Sequence, residues 1–500
     1  MKHLLPLLLL ALTIPADAVE SPMRAIALRP DDVTTIMAWR GSVAGALKKD
    51  TIVSGFATPQ EAVTWTVIAP REDDYALGLI FSGREGGRIE VRCGESFVTA
   101  PSMPRTWPER PFFWRQELPG TLHLKAGENR IALRLLEPTD SKSASAAKNP
   151  RQKNRAGTQL TDEFSLWSIE LGPPAARTAQ AARAREIRGD ASWMIAGKYG
   201  LFVHWSPLGY ALEGDQPRAE WHAKAVDRFD VKVFADAVQR TGAAWIIFTM
   251  THGKFYWPGP SAAIDRVLPG RTTKRDLIGE IIGELDRRGI RTLFYLHNCA
   301  GENGDPAWAK AVGALDPDTT RFGDNVESIL RESSLRYGTK LHGYGYIDDG
   351  FSLNYQFDPP WERWARAIKA GNPAAVVGIS SSRGPIPSPF SELSVTDGGT
   401  SLAPPNLSLI GPGQQLGPVT PAWWCTMDTW IVHGPLNGKI GTGPRHPAAA
   451  YVKFFQEMAA AKIPVTINLA ITADVTAQHP IFNPECQAVM DKVRVEIRRK

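Results

Sequence analysis

His204 and Trp205 close the run Lys198-Tyr199-Gly200-Leu201-Phe202-Val203, which is apolar and rich in β-favouring residues. An imidazole and an indole at the tip of a buried strand suit sugar binding: the ring nitrogen hydrogen-bonds a hydroxyl and the indole covers an apolar sugar face. Alone, the pair reads equally well as a core histidine beside a packing tryptophan. Other short apolar runs also end in polar groups. The stretch from Ala244 to Thr249 leads into Thr251-His252, Phe294-Tyr295-Leu296 into His297-Asn298, and Tyr346-Ile347 into Asp348-Asp349. The run from Val376 to Ser380 leads to Arg383, with Glu392 and Asp397 beyond it, and Glu220-Trp221 stands in the loop after the first run. Retaining glycoside hydrolysis needs such a set: an ionised carboxylate as nucleophile and, about 5–5.5 Å away, a protonated carboxyl as general acid. Adjacent strand residues point to opposite faces, so Asp348 and Asp349 cannot together fill these two roles. An arginine such as Arg383 keeps a neighbouring carboxylate ionised.

The elements that must position these groups fall into two regimes. From about residue 185 strand-like and helix-like runs alternate. The strands are expected at 200–204, 245–249, 291–297, 343–348, 375–380 and 465–468, and helices at 231–241, 274–288, 325–338, 361–371 and 448–462. No glycine-rich phosphate loop follows any strand, so the pattern predicts an α/β fold of the (β/α)8 TIM-like barrel type over 185–500, with its chemistry at the strand ends. Before it, 24–172 gives short β-like runs separated by turns, predicting an all-β jelly-roll or β-sandwich domain. Its hairpin from Leu124 to Leu133, with Trp65, Tyr75 and the Asp73-Asp74 turn, resembles jelly-roll carbohydrate-binding modules. Residues 173–184, opening on Pro173-Pro174, read as the linker.

Composition narrows the class. The chain is 43% hydrophobic and 22% charged with a net charge of +5, which fits a globular protein. The densest basic run, Lys142 to Arg155, lies among Ser, Ala and Asn and reads as a solvated loop, so no nucleic-acid partner is expected. Met1-Lys2-His3, the apolar Leu4 to Ile14 and Ala16-Asp17-Ala18 fit a signal peptide over 1–18, which predicts a secreted or periplasmic protein with no membrane span. Cys93, Cys299, Cys425 and Cys486 form no C-x-x-C pair, and no zinc spacing appears, so neither metal nor cofactor is expected.

The strand-tip set resembles the α-L-fucosidases of glycoside hydrolase family 29. That family carries K-F-G-I-F-I-H-W-G, matched by Lys198 to Ser206, an E-W element matched by Glu220-Trp221, and K-H-H-D-G-F matched by Met250 to Phe255. Its W-F-D-G resembles Ile347-Asp348-Asp349-Gly350, its N-D-R resembles Ser381-Ser382-Arg383, and its L-L-N resembles Thr466-Ile467-Asn468. The resemblance implies Asp349 as nucleophile, with Asp348 as the alternative, and an acid/base beyond Arg383, for which Glu392 is the first choice and Asp397 the second. It implies a sugar site made of His204, Trp205, Glu220, Trp221, His252, Tyr295 (or His297) and Arg383. Two departures bear on the sugar: Thr251 replaces the first of the paired histidines, and Ile347 replaces the tryptophan before the nucleophile. An exo-acting retaining α-L-fucosidase, a related α-L-glycosidase such as an α-L-galactosidase, and a barrel that binds glycans without hydrolysing them are the readings left open.

Overall fold

The computed structural model describes residues 25–498 except 50–51, 57, 84–86, 104–112, 137–163, 208–217, 301–303, 317, 348–358, 380–387, 398, 405–418, 431–440 and 473. The signal-peptide region and the basic run Lys142 to Arg155 therefore lie outside the described residues, as do Asp348, Asp349 and Arg383.

The N-terminal part is a sandwich of two sheets. The strands are β1 (Ile26–Ala27), β2 (Thr34–Met37), β3 (Ser42–Val43), β4 (Lys48–Lys49), β5 (Val53–Ser54) and β6 (Ala62–Ala69). They continue as β7 (Asp73–Ser82), β8 (Arg88–Cys93), β9 (Ser96–Pro101), β10 (Trp114–Leu124), β11 (Gly127–Leu135) and β12 (Ser165–Gly172). One sheet runs β1-β6-β11-β8-β9 with β3 on β6; the other runs β10-β7-β12-β5-β4 with β2 on β12. Alternation places residues: in β6, Val63, Trp65, Val67 and Ala69 are buried between the sheets while Ile68 faces out. The two strands expected from Leu124 to Leu133 are present but do not form a hairpin: β10 pairs β7 while β11 pairs β6 and β8, so the turn through Gly127, at φ +90° where a Cβ would be strained, carries the chain from one sheet to the other. Asn129 fixes that turn, its Oδ1 accepting from the Lys125 N–H at 3.0 Å and its Nδ2 donating to the Lys125 carbonyl at 2.7 Å.

All eight residues of β12 are buried, because a second layer covers its outer face. That layer is the helix Pro174–Ile187, with Pro174 at its first turn, so the expected linker is helical and runs three residues further than expected. Arg177 on this helix and Arg115 on β10 both bond Glu170, Arg115 at 2.7 Å. Arg183 joins Asp32 of the sandwich at 3.1 Å to Glu362 of the barrel at 2.9 Å.

The C-terminal part is a closed parallel barrel of eight strands: β13 (Tyr199–Val203), β14 (Trp245–Thr251), β15 (Arg291–Leu296), β16 (Leu341–Ile347), β17 (Val376–Ile379), β18 (Leu393–Asp397), β19 (Thr420–Thr426) and β20 (Val465–Asn468). Six coincide with the expected strands. The other two, β18 and β19, fall where the sequence reads as loop, since β18 is half polar and follows a proline-rich stretch and β19 carries Pro421. The helix expected at 325–338 starts earlier, at Thr320. Leu201 and Val203 pack outward onto the helices, while Phe202, Trp245, Tyr295, Val395 and Trp424 fill the interior. No helix among the described residues is long and apolar enough to cross a membrane. All four cysteines are free thiols, three of them buried.

Gly200 is the narrow point of this interior. A Cβ there would lie 2.3 Å from Nε1 of Trp245, whose indole donates to Thr466 Oγ1 at 3.1 Å. Gly200→Ala is expected to cost about 1–3 kcal/mol by overpacking, read as a lower urea midpoint; an unchanged midpoint contradicts this packing.

Candidate functional site

Because Phe202 faces the barrel interior, alternation turns His204 inward at the C-terminal mouth. Its Nδ1 lies 3.1 Å from Asn468 Oδ1, across the seam where β13 pairs β20. Asn468 Nδ2 donates to Thr426 Oγ1 and to the carbonyls of Thr429 and Trp430, all within 3.1 Å. Those three acceptors fix the amide orientation, so Oδ1 faces the histidine and the neutral imidazole carries its proton on Nδ1. Nε2 is then an acceptor.

Around this ring stand Trp430 at 4.6 Å, Tyr295 at 5.2 Å, His252 at 5.5 Å and Trp424 at 6.4 Å between centroids. His297 follows at 5.2 Å from His252. Its Nδ1 accepts from the Cys299 N–H at 2.9 Å, which in the neutral ring leaves the proton on Nε2. The mouth thus carries one imidazole with Nε2 as acceptor and one with Nε2 as donor. The Thr251 hydroxyl donates to the His297 carbonyl, so it holds β14 to the loop after β15.

The structure brings together His204, His252, Tyr295 and His297. Sequence reasoning missed Trp424 and Trp430, whose rings meet edge-on at 3.8 Å. The signal was present in Trp423-Trp424: in a strand one of two adjacent indoles must face inward, and Trp424 does while Trp423 packs on Phe454.

Several expectations are corrected. Trp205 turns away from His204 and is 3% exposed, packed against Phe229 at 5.2 Å and Phe248 at 6.1 Å, because adjacent residues at a strand end face opposite sides. Glu220 and Trp221 lie on the helix Arg218–Arg228 and not in a loop; Glu220 is exposed, and the Trp221 indole donates to the Pro207 carbonyl at 3.1 Å. The inward member of that helix is His222, whose imidazole is held neutral by burial, its pKa pushed down to about 3. It borders a small recess with Trp205, His252, Lys254 and Tyr256.

Glu392 is the largest correction. It immediately precedes β18, at the N-terminal end of the barrel, opposite the mouth. Its carboxylate accepts from the backbone N–H groups of Gly189 at 2.8 Å and Val377 at 2.7 Å and pairs with Lys369 Nζ at 2.9 Å, both side chains being nearly fully buried. A carboxylate held by three donors beneath the barrel is a structural clamp and not the acid/base. Asp397 ends the same strand at the mouth, its backbone in register with Trp424.

Asp428, two residues beyond β19, is a buried carboxyl that sequence reasoning passed over. It accepts from the Ala470 N–H at 3.1 Å. Burial pushes its pKa up to about 6, and the neighbouring Cys486 thiol bonds it. Its partners are Ala470, two residues beyond β20, and Cys486 on the C-terminal helix Pro484–Arg498. Among the described residues no group of three His, Cys, Asp or Glu is placed to hold a metal ion.

No family model matches the chain, and no curated protein does. Among solved structures it is similar to an α-L-fucosidase of family GH29 from Bacteroides thetaiotaomicron, at 15% identity over 62% of this chain and 74% of that one, with a TM-score of 0.42. It is similar to an α-L-fucosidase from Lactobacillus casei in complex with α-L-fucose, at 14% identity over 61% of this chain and 98% of that one, with a TM-score of 0.41. An endo-fucoidan hydrolase of glycoside hydrolase family 107 is similar at 13% identity over 62% of this chain and 93% of that one, with a TM-score of 0.46.

Two measurements test the assignments made from geometry. Glu392→Ala strands Lys369 in the interior and is expected to cost about 3–5 kcal/mol of folding stability, read by urea unfolding; a loss below about 1 kcal/mol contradicts the clamp. Asp428 has a pKa of about 6 in the folded chain against the ordinary aspartate value of 3.8, so folding tightens its hold on the proton. Stability is therefore full below about pH 4 and falls as pH rises through 6, by up to about 3 kcal/mol. Asp428→Asn is expected to remove this fall and raise the melting temperature at pH 7; an unaltered pH profile argues against it.

Proposed function

We propose that this chain is an exported retaining exo-glycosidase acting on terminal α-L-fucosyl or closely related α-L-glycosyl residues. The observation that supports it most is the mouth constellation: His204 oriented by Asn468, with His252, His297, Tyr295, Trp424 and Trp430 gathered at the C-terminal end of a closed parallel barrel. Strand ends at this face are where such barrels place their chemistry. The motif resemblance adds Asp349, two residues beyond the end of β16, as nucleophile. It adds Arg383, four residues beyond the end of β17, to keep that carboxylate ionised.

In this reading Asp397 replaces Glu392 as acid/base. Asp397 protonates the leaving glycosidic oxygen while Asp349 attacks the anomeric carbon, giving a covalent glycosyl-enzyme. Asp397 then takes a proton from the water that releases the sugar. His204 Nε2 accepts from one sugar hydroxyl, His297 donates to another, and the indoles of Trp424 and Trp430 cover the apolar face. The signal-peptide pattern of residues 1–18 supports export.

The test is a panel of aryl α-L-glycosides. Asp349→Ala and Asp397→Ala are each expected to lower kcat by about 10³-fold or more, with azide restoring turnover and trapping glycosyl azides of opposite anomeric configuration in the two variants. A wild type inert on every α-L-glycoside overturns the reading. Activity that survives Asp397→Ala removes Asp397 from it.

A further inference from the structure

The outer face of the sheet β1-β6-β11-β8-β9 carries side chains that the fold does not use. The opposite sheet of the sandwich is covered by the helix Pro174–Ile187, which among the described residues leaves this face as the uncovered one. Register places Arg92 opposite Phe97, Glu90 opposite Thr99 and Arg88 opposite Pro101, with Ala132 and Arg134 of β11 on the other flank of β8. Alternation turns Arg88, Arg92, Arg130 and Arg134 to this one side, against Glu90 and Glu128.

Phe97 is 53% exposed and Ile68, on the same face, is 42% exposed. The Arg92 guanidinium lies 4.5 Å from the centre of the Phe97 ring and fixes it in place. Glu90 is itself only 4% exposed and is bonded by Arg92 at 3.1 Å and by Arg134 at 2.8 Å. One buried carboxylate therefore holds two arginines and, through one of them, the aromatic ring. With Glu90 spent on this internal bonding, the charge offered to solvent is positive.

We infer that this face binds an acidic polysaccharide, a uronate-bearing chain whose carboxylates meet the arginine forks and whose apolar ring faces lie on Phe97. The choice of a glycan over another polyanion rests on the glycosidase reading of the barrel; the face itself does not. Bound there, the polymer is held by a surface separate from the mouth, so retention and hydrolysis can be measured apart.

The test is affinity electrophoresis of the full-length protein at pH 7 through native gels containing polygalacturonate, with dextran gels as the neutral control and duplex DNA as competitor. Phe97→Ala leaves the net charge unaltered and is expected to weaken retention at least tenfold, as is Arg88→Ala/Arg130→Ala. Arg228→Ala/Arg287→Ala removes the same charge from the barrel surface and is expected to leave retention unchanged. Retention that survives Phe97→Ala, or that falls as far with the barrel pair, shows general charge attraction and overturns the site. Tighter binding of DNA than of polygalacturonate, or equal retention in dextran, does the same. An inert barrel with this retention pattern defeats the glycosidase reading alone, and an active enzyme without it defeats this one alone.

Discussion

Closing a parallel sheet on itself brings its first and last strands together, and the hydrogen bond between His204 and Asn468 spans that seam across 264 residues of sequence. The orientation of His204 at the mouth depends on it. Asn468 receives the imidazole on one side and on the other donates to Thr426 at the end of β19 and to the carbonyls of Thr429 and Trp430, three and four residues further on. Three strands, β13, β19 and β20, thus share one amide. That amide sets the tautomer of the ring that faces the mouth and the position of the Trp430 backbone beside it. Closure of the fold and orientation of the site are consequently one event.

Legibility in the sequence follows local signal strength. Most of the six strands legible there are largely apolar runs, as strands buried on both faces must be, while β20, Val465-Thr466-Ile467-Asn468, is as polar as β18 and stands out by its resemblance to L-L-N. β18 is not legible because Leu393-Ser394-Val395-Thr396-Asp397 is half polar and follows a proline-rich stretch. Missing that strand is what misplaces Glu392: in a loop it is a plausible lid residue, but with β18 in place it sits one residue before the strand, at the wrong end of the barrel. His204 is legible because its run fixes both its burial and its place at a strand end. Trp205 and Trp221 are misjudged for another reason. A tryptophan's role depends on which way it faces, and for residues just past a strand or on an unrecognised helix the spacing does not settle that. The tautomers of His204 and His297 come from contacts of the folded chain, for His204 from a residue distant in sequence, and leave no local trace.

The two layers of the protein are tied by charge as well as by packing. Glu170 receives arginines from both its own sheet and the covering helix, and Arg183 joins the sandwich to the barrel. Buried ionic contacts of this kind contribute little net stability over an apolar replacement, yet they tolerate few geometries. They therefore constrain the position of the sandwich on the barrel more than they strengthen it.

Glu392 immediately precedes β18 and Asp397 is its last residue, so these two carboxylate-bearing positions stand at opposite ends of the barrel. Glu392 is locked to Lys369 and two backbone amides beneath the barrel, whereas Asp397 stands at the mouth. Variation at these two positions should therefore surface in different phenotypes. Loss at 392 reduces how much folded protein a cell accumulates, whereas under the proposed glycosidase reading loss at 397 alters turnover instead. A mutational survey scoring expression and turnover separately would place the axis between yield and activity along the six residues from Glu392 to Asp397.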